Sequence, residues 1–177
     1  MKLRQMAVAF LFNEEQEVLF LQKKQKDTFL AGFLVPIGGH IEGDEMNDPQ
    51  KACYREIEEE TGLKKDYIEN LTLRYILLRI KDNQEIRIQY VFIGSVSKNS
   101  TLCESDEGSL SWVGYKDILD CNVSATTKEI VKHYDQVGKY NDKVNVGSMK
   151  SLKGNPEITW GLLEDWELPI STNWSSN

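Results

Sequence analysis

The chain has 177 residues, which is enough for one domain with a buried core. Apolar residues make up 40% and charged residues 28%, which is typical of a globular protein rather than a disordered one. The net charge of −7 argues against the basic surface that grips a nucleic-acid polymer, but it leaves open a small anionic substrate held through a metal ion.

Three cysteines, Cys53, Cys103 and Cys121, are widely spaced and form no CxxC pair. This pattern favours a reducing compartment, so we expect a cytoplasmic protein. The first apolar run, Met6 to Phe12, is followed by polar residues instead of a small-residue cleavage site, so we expect no secretory signal. No stretch approaches the roughly 20 apolar residues that cross a bilayer, so we expect no membrane partner.

Apolar and β-favouring residues predict a hairpin at the start of the chain, with strands over Leu3–Phe12 and Glu17–Gln22. A polar loop follows, and Phe33–Ile37 forms a short extended segment. It runs into Gly38 and Gly39, a pair that permits backbone conformations closed to other residues. We therefore expect this pair to line a cleft against which a substrate can lie.

A helix is predicted from Pro49 to about Thr61. Asp48 can cap its free amides, Pro49 suits the first helical position, and Gly62 is a typical C-terminal stop. A second hairpin is expected over Leu71–Lys81 and Glu85–Val96, followed by a short strand at Leu110–Val113.

The segment Thr126 to Glu129 matches a capping box and predicts a second helix, which ends near Gly138. After Gly138 the chain is rich in Asn, Lys, Gly and Ser up to Asn155, and we expect irregular structure there. Strands mixed with two helices predict an α+β fold, a mixed β-sheet sandwiched between helices. We expect one domain over residues 1–140 and a C-terminal extension over 141–177, which packs on the domain or on a partner subunit of a homodimer. The extension carries Trp160, Trp166 and Trp174.

The predicted first helix carries a cluster of carboxylates on one face. Relative to Glu56, Glu60 lies at about +40° and Glu59 at about −60°, since each residue turns about 100°. Arg55 lies one turn before Glu59 and can pair with it. Mg²⁺ prefers hard oxygen ligands and would remove the repulsion between these groups, whereas a merely solvated acidic helix face is the alternative interpretation.

These residues resemble the Nudix hydrolase signature. Gly39 and Glu45 match its first spacing, and the second block is matched by Arg55, Glu56, Ile57, Glu59, Glu60, Gly62 and Leu63. Nine residues separate Glu45 from Arg55 where the signature has seven, and a loop before the helix can absorb the difference without rotating the carboxylates.

The resemblance implies a Nudix fold and hydrolysis of a nucleoside diphosphate linked to another group, with Mg²⁺ or alternatively Mn²⁺ as cofactor. It implies that Glu56 and Glu60 are metal ligands, with Gly39 beside the metal. It also implies that Glu59 is a ligand or the general base and that Arg55 orients a glutamate. The acidic segment before Leu110 is similar to the Glu-Ser-Asp-Glu loop of MutT-like triphosphatases, which implies a metal-site and catalytic role for Glu107.

The downstream proline typical of ADP-ribose pyrophosphatases and the upstream pattern of coenzyme A pyrophosphatases are missing. A MutT-like nucleoside triphosphatase is therefore the leading expectation. The leading substrate is an oxidised, 8-oxo-dGTP-like nucleotide. The expected substrate-binding residues are Gly38, Gly39, Phe33, Arg79 and Arg87. For the two arginines, solvated strand positions are an equally good explanation, and for Phe33 ordinary packing is an alternative. Another diphosphate, such as a nucleotide sugar or a dinucleoside polyphosphate, and a non-catalytic Nudix ligand sensor are the alternative functions.

Overall fold

The computed structural model describes residues 1–24, 32–103 and 106–165, so Glu104, Ser105, Trp166 and Trp174 lie outside the described residues. In chain order the elements are β1 (Lys2–Phe12), β2 (Glu17–Lys23), β3 (Leu34–His40), α1 (Pro49–Thr61), β4 (Glu69–Lys81), β5 (Glu85–Ser95), β6 (Gly108–Gly114), α2 (Ala125–Gln136), β7 (Val144–Leu152) and β8 (Asn155–Leu163). None of the helices in these ranges is long and apolar enough to cross a membrane.

The strands form one mixed sheet in the order β6-β2-β3-β1-β5-β4-β7-β8. The pairs β1–β5 and β4–β7 are parallel, and the other pairs are antiparallel. The predicted β4–β5 hairpin is paired along its length. Strands β1 and β2 pair only next to their turn, at Phe12 and Val18, because β3 lies between them over the rest of their length.

The two helices cover opposite faces of the sheet. Alternate residues of β1 point to opposite faces, so Ala7 and Ala9 join a core cluster with Ile57 of α1, whereas Val8 and Phe10 join a second cluster with α2. The expected α+β arrangement, a mixed sheet sandwiched between helices, is confirmed.

Strand β3 continues beyond the predicted extended segment and passes through both glycines. It brings Gly38 beside Val8 and Gly39 beside Ala7. Gly38 has a φ of +139°, and a Cβ atom there would lie 2.2 Å from the carbonyl oxygen of Ala7. Only glycine fits this close approach of two strands, so the backbone of β3 reaches the carboxylates of α1 directly.

Helix α1 has the predicted limits for the predicted reasons. The carboxylate of Asp48 accepts a hydrogen bond from the amide of Lys51 at 3.1 Å, and Pro49 occupies the first turn. Gly62 has a φ of +73°, and its amide donates to the carbonyl of Glu58 at 2.8 Å. These local signals fix which helix face meets the sheet.

Two expectations for the second half of the chain were wrong. Helix α2 is capped by Ser124, whose hydroxyl accepts from the amide of Thr127 at 3.1 Å, and Thr126 lies inside the first turn. The segment after Gly138 was expected to be irregular, but it forms β7, because β4 and β8 supply hydrogen-bond partners on both sides. Strand pairing thus attaches the described part of the C-terminal segment to the sheet.

Candidate active site

Arg55, in the middle of α1, is the centre of a hydrogen-bond network. Its Nε and Nη2 each donate at 2.9 Å to one carboxylate oxygen of Glu45. Nη1 donates to Glu56 at 2.9 Å and to Glu59 at 3.0 Å, and Nη2 also reaches the backbone carbonyl of His40 at 2.9 Å. One guanidinium therefore orients three glutamates and ties α1 to the end of β3.

Glu45 is nearly inaccessible, with 3% of its surface exposed. The hydrogen bonds from Arg55 hold its pKa below the ordinary value in spite of burial. Helix α1 is continuous from Pro49, and Glu45 still reaches Arg55 in two places, so the two additional residues before Arg55 do not disturb the carboxylates. Glu45 is a partner of Arg55.

Glu60 is buried against the glycine pair. One carboxylate oxygen accepts from the amide of Gly38 at 2.8 Å, and the other lies 3.7 Å from Nζ of Lys23. Burial raises the pKa of Glu60 to about 7, although the Gly38 amide and Lys23 both lower it. A carboxylate in this position gains from any further cation brought beside it.

Glu56 lies on the same side of α1 and is 14% exposed. Burial raises its pKa, Arg55 opposes the rise, and the charges of Glu59 and Glu107 add to it. A Cβ atom on Gly39 would lie 2.5 Å from Oε2 of Glu56, so the missing side chain leaves room for this carboxylate. Since the charge of Glu107 also raises the pKa of Glu60, these three carboxylates share one electrostatic environment.

Lys23 is a site residue that the sequence did not reveal. It stands at the end of β2, and its ammonium forms ion pairs with both Glu60 and Glu107. A lysine at a strand end usually extends into solvent, and only the tertiary structure brings this one to the glutamates.

The remaining predicted substrate residues lie elsewhere. Arg79 and Arg87 face each other across β4 and β5, on the face covered by α2. Burial lowers the pKa of Arg79, and the charge of Arg87 lowers it further. Phe33 precedes β3 and is half-buried, and its carbonyl accepts from the amide of Lys23 at 3.1 Å. The structure thus brings both glycines close to the glutamates and Arg55, and it pairs Lys23 with Glu107. Arg79 and Arg87 lie on the opposite face of the sheet, under α2.

The NUDIX domain family model matches residues 2–134, which is more than half of the chain. The chain belongs to the NUDIX domain family. It is therefore a pyrophosphohydrolase, as the resemblance implied. No curated protein sequence matches it significantly.

Solved Nudix structures share the fold. The MutT protein from Methanosarcina mazei Go1 has a TM-score of 0.64 at 22% identity, covering 76% of this chain and 94% of that one. The mMutator MutT protein from Bacillus halodurans has a TM-score of 0.64 at 21% identity, covering 90% and 97%. A C. elegans Ap4A hydrolase has a TM-score of 0.59 at 16% identity, covering 77% and 96%. At these identities the likeness shows the fold alone.

Nudix hydrolases generally use divalent metal ions and act on small nucleotide substrates. Within the described ranges, no three acidic, histidine or cysteine side chains are arranged as a ready metal site. Arg55 and Lys23 form ion pairs with several of the carboxylates. The donor set nevertheless fits a divalent cation, since Glu56, Glu60 and Glu107 offer hard oxygen ligands with mutually unfavourable charge.

Proposed function

We propose that the chain is a magnesium-dependent Nudix hydrolase that cleaves a nucleoside triphosphate to the monophosphate and pyrophosphate, with an oxidised, 8-oxo-dGTP-like nucleotide as the leading substrate. The observation that carries the proposal is the burial of Glu56 and Glu60 side by side against Gly38 and Gly39. Carboxylates held in this way are suited to Mg²⁺, which commonly binds one or two carboxylates together with substrate phosphates. The unpaired cysteines favour a cytoplasmic setting.

In this proposal Glu56, Glu60 and Glu107 hold the ion, with Gly39 beside it. A bound Mg²⁺ neutralises phosphate oxygens and lowers the pKa of a bound water. Arg55 holds Glu56 and Glu59 in fixed positions through its Nη1 atom. Glu59 is 58% exposed, so its carboxylate can accept a proton from a water that enters from solvent. Phosphoryl transfer requires little beyond such positioning and charge stabilisation.

Arg79 and Arg87 are the proposed contacts for a phosphate or base that lies away from the metal site, because the pair stands on the sheet face covered by α2. They stand directly opposite each other in the register of β4 and β5, where Glu85 is the neighbouring carboxylate. Two cations on adjacent strands attract an anionic substrate. Phe33, which lies beside Lys23, is proposed as an aromatic contact.

A dinucleoside polyphosphate is the second candidate substrate, because one structural neighbour is an Ap4A hydrolase. A substrate panel separates the candidates: dGTP, 8-oxo-dGTP, ATP, diadenosine tetraphosphate and a nucleotide sugar, each with Mg²⁺, with products resolved by chromatography. We expect pyrophosphate and a nucleoside monophosphate from a triphosphate. Tight nucleotide binding without turnover of any compound would instead favour the ligand sensor.

Two matched variants test the residue roles. Glu60→Gln removes a proposed ligand, and we expect kcat to fall on the order of 10² to 10³-fold, as for loss of one electrostatic contact to a transition state. Glu58→Gln makes the same change on the exposed side of α1 and should leave kcat unchanged. Equal turnover by the two variants would contradict the assignment of Glu60 as a ligand. A third variant, Glu59→Gln, tests separately whether Glu59 is needed for proton transfer.

A further inference from the structure

A cavity of about 710 Å³ lies where β1 ends, away from the glutamates. Its lining includes Phe12, Arg74, Tyr115, Lys116, Tyr134 and Lys139. The volume is within the range of sites for small molecules, roughly 300–1,000 Å³. The family assignment and the proposed reaction give this cavity no role.

The register of β1 separates the cavity from the candidate active site. Val8 pairs with Gly38, whereas Phe12 lies four residues farther along the same strand. At about 3.3 Å per residue the two positions are roughly 13 Å apart. Phe12 also packs with the core cluster under α2, whereas the glutamates belong to α1 on the other face.

Three aromatic rings form one wall of the cavity. The ring centroids of Phe12 and Tyr115 are 5.8 Å apart, those of Phe12 and Tyr134 are 6.2 Å apart, and those of Tyr115 and Tyr134 are 6.1 Å apart. All three side chains are only half-buried, so part of each ring is accessible. A partly open aromatic wall is suited to a planar ring that stacks or packs edge-to-face.

Arg74 supplies a buried positive charge at this wall. Only 8% of its surface is exposed, and its Nη2 donates to the backbone carbonyls of Gly138 and Asn141. In the part of the chain that the structure describes, its Nε is buried without a hydrogen-bond partner, and Nη1 lies 3.9 Å from the fully exposed Asp142. Backbone carbonyls satisfy donors but do not neutralise charge, so the guanidinium remains available to an anion.

The rim of the cavity adds further positive charge. Lys139 donates to Asp135 at 2.6 Å, so these two charges compensate each other. Lys116 lines the cavity beside Tyr115 and is exposed. Asp142 likewise offsets the charge of Arg74. The lining therefore carries three cations and two carboxylates, which leaves a net charge of +1.

We propose that this cavity is a second ligand site for a planar heteroaromatic ring that carries a phosphate group, the chemistry of a mononucleotide. The ring lies against Phe12, Tyr115 and Tyr134, and the phosphate is held by Arg74 and Lys116. The site is independent of the metal site and does not depend on the proposed reaction.

The test is calorimetric titration of the full chain with guanosine 5′-monophosphate in EDTA, with guanosine alone and inorganic phosphate as partial ligands. We expect saturable 1:1 binding with a Kd below about 1 mM, and weaker binding of either partial ligand. Lys116→Glu and Tyr134→Leu should each weaken binding roughly tenfold, as expected for loss of a charge contact and a stacking contact. Arg74→Lys, which keeps the charge but not the planar fork, should weaken it as well.

Two control variants separate this site from others. Lys64→Glu reverses an exposed charge that is not part of the cavity lining, and Glu60→Gln alters the candidate active site, so both should bind as the parent does. Hydrogen exchange should show ligand protection at residues 115–118 and 134–142. Absence of saturable binding overturns the proposal, and so does binding that Glu60→Gln weakens and Lys116→Glu does not.

Discussion

Two regions along β1, the glutamate site beside its middle and the cavity at its C-terminal end, hold buried charge in opposite ways. Beside Gly38 and Gly39, carboxylates outnumber the cations that face them, and Arg55 and Lys23 must each serve more than one glutamate. At the cavity, Arg74 is satisfied mainly by backbone carbonyls and keeps its positive charge. The glutamate site is therefore suited to a cation from solution and the cavity to an anion.

The two regions also stabilise their buried arginines in different ways. Arg55 and the buried Glu45 form a bidentate ion pair, and removal of either partner leaves an uncompensated buried charge. Arg74 holds the chain between α2 and β7, so its removal leaves carbonyl groups without donors but no buried charge.

The largest expected effect is at Arg55. The Arg55→Met substitution leaves the buried carboxylate of Glu45 without its cationic partner. We therefore expect the free energy of unfolding, measured by urea denaturation, to fall by about 3–5 kcal/mol. The double variant Glu45→Gln/Arg55→Met removes both charges and should recover part of the loss. If the double variant is as unstable as Arg55→Met, the ion pair is not the cause.

Addition of Mg²⁺ tests the excess of negative charge directly. At a Mg²⁺ concentration about 100 times the Kd, binding to the folded state should add ~2.7 kcal/mol to the free energy of unfolding and raise Tm accordingly. Glu60→Gln should reduce this gain, whereas Lys116→Glu at the cavity should leave it unchanged. A gain that both variants lose equally would mean that Mg²⁺ acts nonspecifically.

The smallest expected effect is at Arg74. In Arg74→Met two backbone carbonyls lose a charged donor, and we expect a loss of about 2 kcal/mol in the same denaturation assay. The loss should be smaller than for Arg55→Met, because no carboxylate is left buried. The opposite order of the two variants would contradict the comparison.

The part of the fold that the sequence predicts well is the part with local signals. Asp48, Pro49 and Gly62 set the ends of α1, and the spacing of Glu56 and Glu60 puts both on its inner side. The hairpins are equally local, since their turns and alternation lie within a few residues of each other.

The rest depends on partners that are distant in the chain. Strand β7 has an ordinary polar composition, and β4 makes it a strand. Lys23 joins Glu60 and Glu107 only because the sheet brings three separate segments together. The arginine pair of β4 and β5 was visible in the sequence, but the sheet face on which it lies was not.

The loop between Glu45 and α1 has a consequence for how relatives are recognised. Arg55 reaches Glu45 across nine intervening residues, and the geometry of their ion pair is undisturbed. Searches that demand a rigid residue count between these two positions would overlook chains of this kind. A pattern that fixes the acid and the arginine, and lets the stretch between them vary in length, would collect them.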